Sequence, residues 1–270
     1  MQEPLFLTYV NKLVEKMRAK VDSNPAEKFN MVNMYNFTTF DIMGDLTFGE
    51  PLDMLEDSGY HPWVAAIFAG FRFGTYLHSI RSYPTLERLL LKMVPESIHE
   101  KQRMHHAFSH ARVDRRLEKK DARPDIWGLV LEKEGENGGM SKKEMYANSN
   151  IFMIAGTETT ATLLSGLTYH LLTNPEKMAR LTHEIRSEFQ TEEGITIEKL
   201  QALKYLHACV EEGLRMFPPV ANGLPRVIPP GGAVVDGHAV PAKVSDAEHC
   251  DIGNDADRLK GEGIRHESSG

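Results

Sequence analysis

One short segment of the chain combines an acid, several hydroxyl groups and a glycine in a pattern that could do chemistry. Residues 155–160 read AGTETT. Two small residues side by side leave a notch in which a flat ligand could approach the backbone, although Gly156 costs a helix about 1 kcal/mol relative to alanine. The threonine hydroxyls can bond to carbonyl oxygens one turn earlier and bend the helix. An acid beside such a bend indicates proton transfer, but a tight crossing of two helices at small residues explains the same spacing.

A second acid, Glu212, stands three residues before Arg215. Residues at this separation are neighbours on a helix, and an exposed ion pair of this kind adds little stability. A solvated helix face is therefore the ordinary interpretation of the pattern. The same spacing also occurs at Glu15/Arg18, Glu100/Arg103 and Glu262/Arg265.

Histidines and cysteines are the other candidate ligands. His106 and His110 have the i,i+4 spacing of metal ligands, but no carboxylate or cysteine completes a set, so a solvated helix face is favoured. Cys209 and Cys250 form neither a CxxC site nor a disulfide framework. This cysteine usage indicates a reducing compartment.

Apolar periodicity and turn signals place these residues on a mainly helical chain. Ser141 and Glu144 form a capping box, which opens a helix that runs to Asn174-Pro175 and is about 50 Å long. AGTETT lies in the middle of this helix. The other predicted elements are helices at 5–20, 31–47, 60–78, 84–120 and 204–217, and strands at Leu224–Ile228, Ala233–Val235 and His238–Val240.

Composition excludes some classes of function. The chain of 270 residues is 41% hydrophobic, with a mean hydropathy of −0.36 and a net charge of −7. The acidic balance, without a basic run, argues against a nucleic-acid partner. The sequence contains no apolar run of about 18 residues that could span a bilayer. Residues 244–270 are polar and without period, which predicts a disordered tail behind a domain at 1–243.

AGTETT resembles the oxygen-activation signature of the cytochromes P-450, the haem-thiolate monooxygenases. The order of parts agrees, since EGLRMFPPV follows and then a proline-arginine pair and a glycine-rich hairpin. Upstream, NFTTFDIMGDLTFGEP and HPWV are similar to fungal members that act in secondary metabolism. The resemblance covers 1–243. It implies a mainly α, partial cytochrome P-450 fold with a long central helix and a small C-terminal β-hairpin region.

The resemblance also implies roles for residues near the haem. Thr159 would hydrogen-bond the dioxygen at the iron, and Glu158 would pass protons inward from solvent. Ala155 and Gly156 would lie against the haem. Arg226 would bind a haem propionate, because a guanidinium suits a carboxylate; a surface arginine at a strand end is the alternative.

The implied activity is insertion of one oxygen atom of O₂ into a lipophilic small molecule, by hydroxylation or epoxidation. Electrons would come from a separate NADPH-cytochrome reductase. Glu212 and Arg215 would tie the core on the side of the haem that holds the cysteine. Phe152, Val220 and Leu224 would line the substrate pocket. The family is anchored in the endoplasmic-reticulum membrane, whereas this chain is expected to lack the anchor and to be cytoplasmic or peripheral.

The sequence departs from the family at the iron ligand. The family places this cysteine in a loop Phe-x-x-Gly-x-Arg-x-Cys-x-Gly, and no such loop occurs here. Cys209 is expected to pack as a small apolar residue, and acidic neighbours would raise the pKa of Cys250. We therefore expect a fragment from a truncated or wrongly spliced gene model, inactive as given. The alternative is a non-catalytic helical or interaction protein without stable haem.

Overall fold

A computed structural model describes residues 2–65, 67–68, 80, 83, 85, 88–89, 92, 94, 96–119, 125–131, 140–221, 225–235, 237–242 and 245–247. The helices are α1 (Glu3–Ser23), α2 (Met31–Phe48), α3 (Met54–Asp57), α4 (Glu96–Glu118), α5 (Ile126–Leu131), α6 (Lys142–Thr173), α7 (Pro175–Glu188), α8 (Ile197–Leu200) and α9 (Lys204–Met216), with a 3-10 turn at Glu192–Gly194. The strands are β1 (Pro225–Val227), β2 (Ala233–Val235), β3 (His238–Val240) and β4 (Ser245–Ala247). The predicted mainly helical fold is confirmed.

The ends of α2 follow from local chemistry. The Asn30 side chain accepts a hydrogen bond from the backbone N–H of Asn33 at 3.2 Å, which caps the helix start. At the other end Gly49 has φ +70°, a left-handed conformation that glycine adopts without steric cost. A side chain at Gly49 would also meet Arg116, because a Cβ there would lie 3.0 Å from the Arg116 Cδ.

Helix α2 also holds the loop that follows it. The buried carboxylate of Asp41 accepts backbone N–H groups from Leu52, Met54 and Leu55 at 3.2, 3.0 and 2.8 Å. Burial raises the pKa of Asp41, and the three backbone donors lower it. A buried acid is tolerated here because backbone donors satisfy its oxygens.

The core around α2 is aromatic. Phe48 meets Trp63 at 6.4 Å between ring centroids, and Trp63 stacks on Phe108 of α4 at 4.8 Å. Such pairs contribute beyond the area that they bury. The fully or almost fully buried apolar members of this core are Phe37, Phe40, Phe48, Met54, Leu55, Val64, Val113, Trp127 and Met153.

Helix α6 begins with the predicted capping box. Ser141 donates its backbone N–H to the Glu144 carboxylate at 2.7 Å, and Glu144 donates its own to the Ser141 hydroxyl at 3.4 Å. The helix has 32 residues, about 48 Å at 1.5 Å per residue. Pro175 starts α7 as predicted, but the Asn174 side chain does not cap it and instead donates to the His170 carbonyl at 2.8 Å.

The chain divides into two compact units. One comprises Met1–Ser165 with Ile195–Glu198, and the other comprises Gly166–Gly194 with the residues from Lys199 onward. In the second unit β2 pairs with β3 as an antiparallel hairpin, at Ala233–Val240 and Val235–His238. The predicted β-hairpin is therefore present.

A second antiparallel pair joins β1 to β4, with Val227 opposite Ser245. Residues 245–247, which composition assigns to the predicted tail, form β4 by backbone pairing with β1, which does not depend on side-chain hydropathy. The rest of the predicted tail lies outside the described residues, as do the loop Glu132–Gly139 and most of the predicted helix at 60–78. The boundary at 243 stays a prediction.

Among the helices in the described ranges, none is both long enough and apolar enough to cross a bilayer. The apolar residues of α1, α2 and α6 are interrupted by charged and polar side chains.

Candidate functional site

The turn at residues 155–160 has different surroundings on each side. Thr157 is fully buried and donates its hydroxyl to the Met153 carbonyl at 2.6 Å. Thr159 donates to the carbonyl of Ala155, also at 2.6 Å, and Ala155 itself is exposed. The predicted bonding of threonine hydroxyls to the preceding turn is thus confirmed. Its effect is to fix the Thr159 side chain beside an open, apolar patch of α6.

Gly156, about 100° around the helix from Ala155, meets a side chain of a second helix. A Cβ built on Gly156 would lie 2.7 Å from the Cε and Sδ atoms of Met43 on α2. The side of the notch that the glycine opens is therefore filled by a methionine. A side chain of a second helix thus occupies this side of the turn, and contact of Gly156 with a cofactor stays a prediction.

Glu158 is the acid of this turn, and it is half-buried. Its Oε1 atom is buried and has no hydrogen-bond partner among the described residues. Burial raises the pKa of Glu158 above its ordinary value, because the charged form loses hydration. The arrangement favours a carboxyl group that holds its proton at a higher pH than an exposed glutamate does.

Tyr60 lies close enough to Glu158 to respond to its charge. Burial raises the pKa of Tyr60, a hydrogen bond from Asn36 lowers it, and the Glu158 carboxylate raises it further. The Asn36 amide donates to the Tyr60 hydroxyl at 3.1 Å, and that hydroxyl donates to Asn33 at 3.3 Å. Sequence reasoning missed these residues, because nothing in their spacing relates them to position 158.

Two apolar neighbours on α6, Ile151 and Phe152, differ in exposure. Phe152, predicted to line a substrate pocket, is partly buried and meets Trp127 at 5.9 Å between ring centroids. Ile151 is 58% exposed and lies one turn before Ala155. The i,i+4 spacing from Ala155 is the signal that could have found Ile151. Contact of Phe152 with a substrate stays a prediction.

The second unit holds the pair Glu212 and Arg215. The guanidinium donates twice to the carboxylate, from Nε to Oε2 and from Nη2 to Oε1, both at 2.7 Å. The two side chains are 59% and 62% exposed, respectively. The partner lowers the pKa of Glu212 and raises that of Arg215. Among the described residues this is a solvated pair, and the core-tying role stays a prediction.

Cys209 is a poor candidate for a metal-binding thiolate. It is buried in α9, on the wall of a cleft of about 470 Å³ that the end of α6 also lines. Burial raises the pKa of its thiol, more than a hydrogen bond with Tyr205 lowers it. A raised pKa disfavours the thiolate that iron would need. Cys250 lies outside the described residues.

The structure describes only some atoms of the remaining predicted site residues. Arg226 pairs with Asp246 between β1 and β4, and its side chain lies outside what the structure describes, as does all of Leu224. Val220 is 53% exposed. Within the described ranges no three potential metal ligands converge, and His110 instead stacks on Tyr146 at 3.9 Å.

The model of the cytochrome P450 family matches residues 2–245. The chain belongs to the cytochrome P450 family. It is similar to the cytochrome P450 monooxygenase efuB of Hormonema carpetanum, with 50% identity over 246 residues, which cover 90% of this chain and 49% of the relative. The cytochrome P450 monooxygenase FUM2 of Gibberella moniliformis is 50% identical over 243 residues, 90% of this chain and 52% of the relative. The predicted fungal cytochrome P450 type is confirmed.

A crystal structure of the cytochrome P450DA heme domain matches with a TM-score of 0.70 at 17% identity, covering 90% of this chain and 51% of that one. This match shows the fold. The chain spans about half the length of the curated relatives it matches.

Haem is the cofactor of cytochromes P450, and the described residues fit one side of it. The open patch at Ala155, the fixed Thr159 hydroxyl and the unpaired buried oxygen of Glu158 suit the side at which dioxygen is handled. The thiolate side is different, because Cys209 has the burial and raised pKa of a structural thiol. None of the residues in the described ranges fits the iron ligand.

Proposed function

We propose that this cytochrome P450 chain carries the oxygen side of a haem monooxygenase site, with Glu158 as proton donor and Thr159 as the group that receives and directs the proton. The observation that carries the proposal is the half-buried, unpaired Glu158 carboxyl one residue before a hydroxyl of fixed orientation. Haem, when bound, would supply the activation of dioxygen. The chain's own residues would bind the substrate, limit water and move protons.

The pKa of Glu158 suits the proton donor. A catalytic acid works best when it is still protonated near the working pH, and burial moves Glu158 in that direction. After giving up its proton, the carboxylate would remain partly exposed and could take up a new proton from solvent. Thr159 donates its hydroxyl hydrogen to the Ala155 carbonyl, so the lone pairs of its oxygen remain available to accept a hydrogen bond or a proton.

The substrate is proposed to be a lipophilic small molecule. Ile151 and Ala155 offer an exposed apolar patch on the side of α6 that carries Thr159. Electrons would come from a separate reductase, as the family resemblance implies. Arg226 is proposed to bind a haem propionate, and Val220 and Leu224 to contact the substrate.

The test is the carbon-monoxide difference spectrum of the reduced, haem-reconstituted chain, recorded with and without an added small thiol. With thiol added, a thiolate-type Soret band whose intensity saturates as the chain concentration is raised supports the proposed site. We expect no such band without added thiol, because Cys209 does not fit as ligand. Glu158→Gln and Thr159→Val should keep the band and lower the oxygenation of a lipophilic probe, driven by O₂ and a chemical reductant, by about 10²-fold or more.

A second candidate is a helical protein without stable haem. The lack of a fitting thiolate among the described residues favours it. Absence of any saturable haem band, with or without the small thiol, would decide for this candidate and against the oxygenase.

A further inference from the structure

Gly156 admits a side chain from another helix into the turn that carries Glu158 and Thr159. The Cε, Sδ and Cγ atoms of Met43 would lie 2.7, 2.7 and 3.0 Å from a Cβ at Gly156. Real Cβ atoms essentially never approach a neighbour this closely, so any other residue at 156 would have to displace Met43. The thioether therefore sits where the missing side chain would be.

The same helix also holds Tyr60, whose pKa responds to the Glu158 charge. Asn36 lies seven residues before Met43 on α2 and holds the Tyr60 hydroxyl by a hydrogen bond of 3.1 Å. The Tyr60 ring packs edge-on against Phe37, with 5.1 Å between ring centroids. Since the Glu158 charge raises the pKa of Tyr60, α2 supplies the contact at Gly156 and also holds a residue that responds to the acid.

We propose that Met43 is a positioning residue for the site: its side chain in the Gly156 notch fixes the register and rotation of α6 against α2, and so sets the burial of Glu158 and the opening beside Thr159. This inference rests on the proposed function of these two residues. Met43 is proposed to act through its contact at Gly156 and the backbone of the turn.

Helix geometry gives the physical reason. Each residue turns an α-helix by about 100°, so locking one direction at Gly156 fixes the directions of the next three side chains. A slip of one residue would rotate Glu158 away from its half-buried place. The unbranched methionine can enter the notch because its flexible, polarizable side chain fills an irregular gap.

The test reads the protonation of Glu158 directly and needs no haem. In the full chain, the carbonyl stretch of protonated carboxyl groups is followed by infrared spectroscopy against pH, and the Glu158 band is assigned by its loss in Glu158→Gln. We expect Met43→Ala to lower the Glu158 titration midpoint by about 0.5–1 pH unit, since a loosened turn lets water reach the carboxyl. Met43→Leu, which keeps the volume, should leave the midpoint unchanged.

A matched control lies on the same helix. Met31 also packs against the core from α2 but does not contact Gly156. Met31→Ala should lower the melting temperature as Met43→Ala does, by several degrees, without moving the Glu158 midpoint. This pair separates a positioning effect from a general loss of packing.

Gly156, the other partner of the contact, supplies a second variant. Gly156→Ala pushes Met43 out of the notch and should also lower the Glu158 midpoint. In the double variant Met43→Ala/Gly156→Ala the new methyl occupies the vacated space, so the midpoint should return at least halfway to the wild-type value. The coupling between the two positions is then visible as a departure from additivity.

An unchanged Glu158 midpoint in Met43→Ala, in a chain that still melts cooperatively, would overturn the inference. If Met43→Ala does not fold, an unchanged midpoint in Gly156→Ala overturns it equally. A failed haem spectrum would remove the proposed function and leave these infrared results intact, so the two failures are distinguishable.

Discussion

Glu158 and Glu212 are the two acids that the sequence connects with cytochrome P450 motifs, and they lie in different units with opposite surroundings. Glu158 is half-buried, its Oε1 has no partner among the described residues, and burial raises its pKa. Glu212 is exposed, bonded twice to Arg215, and has a lowered pKa. Burial without a partner therefore prepares a carboxyl group for proton transfer, whereas pairing in solvent keeps it ionised.

A buried pair separates the effect of burial from the effect of pairing. Arg116 and Asp125 are 1% and 0% exposed and joined by two hydrogen bonds. Arg116→Ala should lower the free energy of unfolding by about 3–5 kcal/mol, because it leaves a buried carboxylate without its cation. Chemical denaturation measures this loss. Arg215→Ala is the matched control, and a loss as large at this exposed site would show that burial does not distinguish the two pairs.

Two histidines extend the comparison to groups whose charged form is the protonated one. Burial first, and then the charge of Arg112, lower the pKa of His61, whose Nδ1 accepts the Trp63 backbone N–H at 3.1 Å. Burial first, and then the charge of His106, lower the pKa of His105.

Because both folded-state pKa values lie below the ordinary value of 6.5, the unfolded chain takes up protons first as the pH falls. Stability should therefore decline as the pH falls through 6.5 and level off below the folded-state values. Melting temperatures measured between pH 8 and 5 check this. The decline should be smaller by a few degrees in His61→Gln/His105→Gln, and an equal decline would contradict the prediction.

Replacing each glutamate by glutamine should change the melting temperature in opposite directions. These shifts are the smallest of the three predicted effects. The pKa of folded Glu158 lies above the ordinary 4.5, so its cost to stability grows as the pH rises from 4.5 through the folded-state value. Glu158→Gln should therefore raise the melting temperature at pH 7.5 and leave it unchanged at pH 4.

For Glu212 the sign reverses. Its folded-state pKa lies below 4.5, so its contribution is present above 4.5 and is lost as the pH falls through the folded-state value. Glu212→Gln should slightly lower the melting temperature at pH 7.5. Scanning calorimetry of both variants measures these melting temperatures. Shifts of the same sign at pH 7.5 would contradict the proposed difference between the two acids.

The local features of the chain could be predicted from its sequence. The capping box at Ser141, the proline at the start of α7 and the hairpin of β2 and β3 depend on residues a few positions apart. The threonine bonds inside α6 are of the same kind. The family could also be recognised, because its motifs are short and keep their order along the chain.

The surroundings of those motifs could not be predicted, because they depend on residues distant in sequence. The sequence left open whether Gly156 meets a flat ligand or a helix, and Met43, 113 positions away, occupies that side. Composition also gives no sign of β4, because its pairing with β1 depends on backbone hydrogen bonds to a strand elsewhere in the chain.

The order of residues along the chain sets an acid before a threonine in one motif and an acid three residues before an arginine in the other. The fold then sets their environments, with Glu158 half-buried and unpaired and Glu212 exposed and paired. The physical reason is that the pKa of a carboxyl group depends on hydration and on charges supplied by other elements. Neither is encoded in the local pattern.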